Sequence, residues 1–200
     1  MQTPSSINTM SHPLIVHMQR YVTIPSEDKD AILAYFQSRT YKKKEDLMGL
    51  NTICNDHFFI VKGCVRLFFI KDNGVEQTIQ FAIENWWITD YQAFVQQATT
   101  DYVLQAVEPT EVLRITLVKQ NELLDTYPYL ERYFRNIYQR AYTASLTRTR
   151  FLYNFSKEEF YRHFNDHFPE FVSRVPQHLL ASYLNMTPEY LSEIKRKTRT

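Results

Sequence analysis

Glycine is close to absent from this chain: three in 200 residues, at Gly49, Gly63 and Gly74. So few, so widely spaced, exclude a Gly-rich phosphate cradle or a dinucleotide fingerprint, because both need several glycines within one turn. Cysteine is equally scarce. Cys54 and Cys64 cannot supply the four thiolates of a zinc or iron–sulfur site, nor do they form a C-x-x-C pair, so buried free thiols in a reducing cytoplasm are expected. No apolar run approaches the roughly 18 residues of a membrane span. The opening stretch MQTPSSINTMSHPLIVHMQRY lacks a basic segment followed by a clean apolar run. A soluble cytoplasmic protein without membrane attachment is expected. Net charge is nearly absent too: +1 overall, which excludes a generally basic nucleic-acid binder and confines any DNA contact to a local patch. No nucleophile–base pairing stands out. The chain is not expected to be an enzyme, nor to need a cofactor or metal.

What is present is apolar and aromatic: 44% hydrophobic residues and 15% aromatics, enough to bury a sizeable core in one larger or two smaller domains. Ser26 to Arg39 carries a capping serine, acids in the first turn and Ile32, Leu33, Tyr35 and Phe36 at helical spacing, which predicts one short helix. The period then changes. TICNDHFFIVKGCVRLFFIKDNGVEQTIQFAIENWWI is dense in β-branched and aromatic residues, with Lys62-Gly63 as a turn and Asp72-Asn73-Gly74 as a tight hairpin of the primed type. A short helix is expected from Tyr91 to Gln97, and DYVLQAVEPTEVLRIT returns to strand alternation. A rolled antiparallel sheet over about Tyr41 to Thr116 results. From Tyr127 to Phe151, Leu130, Phe134, Ile137, Ala141 and Ala144 recur at four-three spacing, with Arg148 as one polar interruption. This is either a dimer seam or packing on the chain's own sheet. Ser156 and Glu159 form a capping box for the next helix, which Phe168-Pro169 closes.

The last segment, VPQHLLASYLNMTPEYLSEIKRK, carries two short helical patterns. Ala181 is small enough for a close helix crossing, and Leu180, Leu184, Met186, Leu191 and Ile194 turn toward one core. Asn185 sits at the bend, where the backbone needs positive φ. Thr187 offers an N-cap, Pro188 suits the first helical position and Glu189 favours the first turn. The pattern reads as a helix-turn-helix, Gln177 to Leu184 supporting a recognition helix from Thr187 to about Lys197, or as a plain αα-hairpin. Lys195, Arg196, Lys197 and Arg199 are either phosphate contacts or a solvated face.

Helix, β-roll, long helix and helix-turn-helix, in that order, resemble the Crp/Fnr family of bacterial transcription regulators over nearly the whole chain. The most specific part is VPQHLLASYLNMTPEYLSEIKRK, and ENWWITDYQAF with the compact tail resembles divergent members found in Bacteroidetes. The resemblance implies an α+β fold: a β-roll domain at 1–125, a dimerisation helix at 126–153 and a DNA-binding domain at 154–200. It also implies a homodimer on a double-stranded DNA operator, with RNA polymerase as a further partner and an unknown effector. DNA contact is implied for Gln177, His178, Thr187, Glu189, Tyr190, Ser192, Lys195, Arg196, Lys197 and Arg199. Members that bind cyclic AMP hold its ribose with a Gly-Glu pair and its phosphate with an Arg-Ser or Arg-Thr pair. Here those slots read Glu84-Asn85 and Thr100-Asp101, so a carboxylate stands where a cation should meet the phosphate. Cyclic AMP binding in the family's mode is therefore not expected. Trp86, Trp87 and Tyr91, with Phe94, complete a candidate effector pocket or else belong to the core. The rival is a cupin-like small-molecule-binding or metal-dependent β-roll protein without DNA binding. His57 stands alone within the roll, short of a metal constellation, and His163 and His167 on one helix supply too few ligands, which leaves a solvated face.

Overall fold

The computed structural model describes residues 12–198. Its fold class is α+β: a β-sandwich, a long helix and a small C-terminal helical domain. The elements run α1 (Pro13–Met18), α2 (Asp28–Leu33), β1 (Gln37–Tyr41), β2 (Asp46–Met48), β3 (Asp56–Lys62), β4 (Val65–Ile70), β5 (Glu76–Ala82) and β6 (Trp87–Ile88). They continue α3 (Tyr91–Gln96), β7 (Val103–Ala106), β8 (Thr110–Thr116), α4 (Leu117–Thr126), α5 (Leu130–Asn154), α6 (Lys157–His167), α7 (Pro169–Arg174), α8 (Gln177–Tyr183) and α9 (Pro188–Thr198). Among the described residues two compact units form, one from 12–65 together with Ala82–Gln139, the other from Arg66–Phe81 together with 140–198.

In the first unit an antiparallel sheet takes the order β1-β8-β3-β6, and β2 pairs with β7. Its apolar face packs on helices: Phe59, Trp87, Leu113 and Ile115 meet Leu14, Ile15 and Met18 of α1, Leu123 of α4, and Leu130, Tyr133 and Phe134 of α5. Three polar side chains in this core satisfy one another. The Tyr133 hydroxyl accepts the Trp87 Nε1–H at 2.7 Å and bonds His17 Nδ1 at 2.8 Å. Gly63 has φ +106°, and a Cβ there would stand 2.5 Å from Thr110 Oγ1 and 2.8 Å from the Pro109 carbonyl, so the turn after β3 requires glycine.

The second unit joins the β4–β5 hairpin to the C-terminal helices. Phe81 of β5 lies 5.1 Å from Phe171 and 5.3 Å from Tyr183, ring centre to ring centre. Ser156 and Glu159 form the expected reciprocal capping box of α6.

Some local expectations need correction. The helix begun near Ser26 is only Asp28–Leu33, with Glu27 at its N-cap and no side-chain cap bond, because Gln37–Tyr41 is drawn into pairing with β8. The hairpin at Asp72-Asn73-Gly74 is not primed. Positive φ falls on Gly74 and not on Asn73, while Gly74 N–H bonds the Lys71 carbonyl and Lys71 N–H that of Val75. That is a three-residue loop closing through a left-handed glycine. The long helix begins at Leu130 rather than Tyr127, and α1 and α4 were not foreseen.

Candidate nucleic-acid interface

Helices α8 and α9 cross as their sequence requires. Leu180, Ala181, Leu184, Met186, Leu191 and Ile194 are all buried, and Asn185 takes φ +56°. The Met186 N–H bonds the Ala181 carbonyl at 3.0 Å, closing the turn, and the Thr187 hydroxyl accepts the Tyr190 N–H at 3.2 Å as a helix cap.

With one side of α9 spent on this core, Glu189, Ser192, Glu193 and Arg196 form the outward face, at i, i+3, i+4 and i+7. His178 is exposed on α8. The Gln177 amide reaches across to the Pro188 carbonyl and the Ser192 hydroxyl, so these two residues brace the helices against each other. Gln177, Ser192, Lys195 and Arg196 line a shallow depression of about 320 Å³. Tyr190 and Lys197 turn elsewhere, toward Glu158 of α6, at 3.4 and 4.0 Å. Lys197 also pairs with Glu193 at 2.9 Å; that bond raises the lysine's pKa and lowers the carboxylate's. Lys195 extends over the Tyr161 ring. Arg199 lies outside the described residues.

The candidate effector residues divide between side chains bonded within the chain and exposed ones. The Glu84 carboxylate accepts the Gly63 N–H at 2.8 Å. Thr100 is fully buried, its hydroxyl donating to Asp90 Oδ2 at 2.8 Å and accepting the Tyr102 N–H at 3.1 Å, while Asp101 is exposed. Trp87 and Phe94 are core residues, whereas Trp86 and Tyr91 remain about half exposed. Beside Trp87 and Phe94 sits His57, buried, 4.5 Å from the Trp87 ring and stacked on Tyr138, with Nδ1 bonded to Gln120 at 3.3 Å. Burial pushes its pKa down to about 4, so it is neutral at physiological pH. Among the described residues, no group of three or more His, Cys, Asp or Glu stands together as a metal site, and no helix is long and apolar enough to cross a membrane.

The α5 stripe divides. Leu130 and Phe134 are buried in the first unit's own core and Ile137 packs against it, which removes them from an open seam. Arg148, the polar interruption, bonds the Tyr183 carbonyl at 2.9 Å and lies over the Tyr183 ring. From residue 139 to residue 146 every position is exposed, Ala141 and Ala144 included. The most open apolar side chains of α5 are Tyr142, Leu146 and Tyr153, at 67%, 52% and 86% exposure, with Leu152 at 37%. With Thr149 the first three follow four-three-four spacing, turned by about 120–150° around the helix from the stripe read in the sequence. Both stripes are present in the sequence, and only burial tells them apart.

Residues 38–127 match the family model of the cyclic nucleotide-binding domain. The solved structures of like fold are Crp/Fnr-family regulators over most of the chain. FixK2 from Bradyrhizobium japonicum is 13% identical, with a TM-score of 0.68 over 82% of this chain and 84% of that one. The c-di-GMP responsive global regulator CLP of Xanthomonas campestris is 13% identical, with a TM-score of 0.67 over 88% and 92%. The catabolite activator protein of Thermus thermophilus is 19% identical, with a TM-score of 0.55 over 87% and 83%. These neighbours are transcription regulators and not enzymes. No curated protein matches the chain in sequence.

Proposed function

We propose that the chain is a homodimeric, sequence-specific DNA-binding transcription regulator of the Crp/Fnr type, acting in the cytoplasm without cyclic AMP. The observation that carries this reading is the α8–α9 unit: a left-handed Asn185 turn, a closed apolar crossing, and an outward face offering Glu189, Ser192 and Arg196. Such a helix presents a carboxylate that can accept from cytosine N4 and a guanidinium that can meet guanine in the major groove. Residues 1–125 form the sensor-type domain, 126–153 the dimerising helix and 154–200 the DNA-binding part.

Dimerisation is supported by α5 itself, because residues 139–146 are solvent-exposed, Tyr142 and Leu146 among them, and these two gain apolar burial from a partner. The seam assigned here is Tyr142, Leu146, Thr149 and Tyr153, flanked by Ala141 and Ala144. Independence from cyclic AMP is supported by Glu84 and Thr100 being bonded within the chain and by the absence of a cation at Asp101.

Selection from a random pool of duplex DNA tests the reading. A two-fold symmetric motif with half-sites about 10 base pairs apart is expected, with affinity unchanged by micromolar cyclic AMP. Recovery of no motif would refute DNA reading, and a large gain in affinity with cyclic AMP would refute the effector claim.

A further inference from the structure

Strand β5 ends its sheet, so one row of its backbone groups has no strand beside it. A single side chain from α8 takes two of these groups. The Ser182 hydroxyl accepts the Thr78 N–H at 2.8 Å and donates to the Glu76 carbonyl at 2.9 Å. Residues two apart on a strand turn their backbone groups to the same side, so one hydroxyl set between them closes both bonds as a neighbouring strand would. The Gln77 amide adds a bond to the Ser182 carbonyl, and Phe81 at the far end of β5 packs on Tyr183. Arg148 of α5 holds the next carbonyl, that of Tyr183. Helix α8 is therefore gripped at consecutive residues by the hairpin and by α5.

We propose that Ser182 is a positioning residue for DNA reading: through it the β4–β5 hairpin holds α8, and α8 sets the angle at which α9 is presented. This rests on the reading of α9 as the recognition helix. The grip falls at the C-terminal end of α8 and leaves Glu189, Ser192 and Arg196 exposed, so it does not block the reading face. Its effect is to preorganise. A helix pair fixed before binding loses less freedom on the DNA, so removal of the hydroxyl lowers affinity. The hairpin lies within the segment matched to the cyclic nucleotide-binding domain. That domain thereby acts on DNA reading through a strand edge, with no ligand needed.

The test uses the full chain, the variants S182A and S182T, amide hydrogen exchange, and the duplex selected by the unmodified protein. The Thr78 amide is expected to be protected in the unmodified protein and to exchange about tenfold faster in S182A, the loss of roughly one net hydrogen bond. S182A is expected to bind the selected duplex about tenfold more weakly and random duplex equally well, and S182T, which keeps a hydroxyl, to restore both readouts. A freely exchanging Thr78 amide in the unmodified protein would overturn the proposal, as would S182A binding the selected duplex at full strength. In either case DNA reading itself stands. Failure of the unmodified protein to select any duplex would remove the DNA reading and, with it, the positioning role.

Discussion

Leu146→Asp is expected to convert the dimer to a folded monomer. Full burial of a leucine contributes about 1.5–3 kcal/mol. Leu146 is 52% exposed on its own chain, so a symmetric partner that covers the remainder adds about 1 kcal/mol per copy. Over two copies this is about 2 kcal/mol, and Leu146→Ala should weaken the dimer about thirtyfold. The aspartate does more, because it brings a carboxylate from each chain into one seam beside Tyr142, where the like charges repel and desolvation opposes ionisation. Sedimentation equilibrium across micromolar concentrations reads the dissociation constant, and a thermal melt followed by circular dichroism checks that the variant still folds. Phe134→Asp serves as the contrast. Phe134 is only 2% exposed, inside the first unit's core, so its replacement should unfold the protein rather than separate it. A Leu146→Asp protein that dimerises with unchanged affinity, while Ala141→Asp or Ala144→Asp dissociates, would refute the assigned seam and restore the one read from the sequence. An unmodified protein that stays monomeric would refute both.

Tyr133→Phe removes the acceptor of the buried Trp87 Nε1–H and the partner of His17, and urea unfolding should show a loss of about 1–3 kcal/mol; a loss under about 0.5 kcal/mol would mean that water or rearrangement satisfies the indole. His57 has its pKa lowered to about 4 against an ordinary value of 6.5, so the unfolded chain binds more protons across that window. Stability from this group is full above pH 6.5 and falls by about 3 kcal/mol as pH drops toward 4; a His57→Gln variant whose acid profile keeps the same slope would sink the assignment. Glu189→Ala should relax preference at one base pair per half-site by about 1–3 kcal/mol, whereas Lys195→Ala weakens all duplexes alike and reduces the salt slope by about one. Lys197→Ala should change that slope less, since Glu193 already matches its charge. Uniform loss from Glu189→Ala would show that it reads no base.

Where a local rule and a tertiary requirement coincide, the sequence is legible to the residue. Asn185 has one conformation compatible with a tight turn between two crossing helices, and Thr187, Pro188 and Ala181 each repeat that instruction independently. The capping box at Ser156 is as plain, because both of its bonds are local. The α5 stripe is different. Leu130–Phe134–Ile137–Ala141 and Tyr142–Leu146–Thr149–Tyr153 have the same periodicity, and nothing within the helix says which stripe meets its own core. That is decided by α1, more than a hundred residues earlier, and by the sheet. The hairpin's grip on α8 was hidden for the same reason: a serine in a helix carries no sign of the strand edge it will cap.

The candidate effector residues follow the same logic, because their bonds too are set by contacts with other segments. The resemblance to members that bind cyclic AMP implies a glutamate free to meet the ribose at this slot and, further along the chain, an arginine to meet the phosphate. Here the Glu84 carboxylate is held by the Gly63 N–H, at a turn where glycine is required because Thr110 and Pro109 crowd the missing Cβ. Thr100 is fully buried and joined to Asp90, whose other carboxylate oxygen caps α3. Freeing either group for a ligand would break a bond that shapes the domain, and an anionic ligand would still find Asp101 where it needs a cation. Glu84 and Thr100 are tied into this chain's own framework, which fits the proposed regulator whose DNA reading is set by fixed contacts on α8.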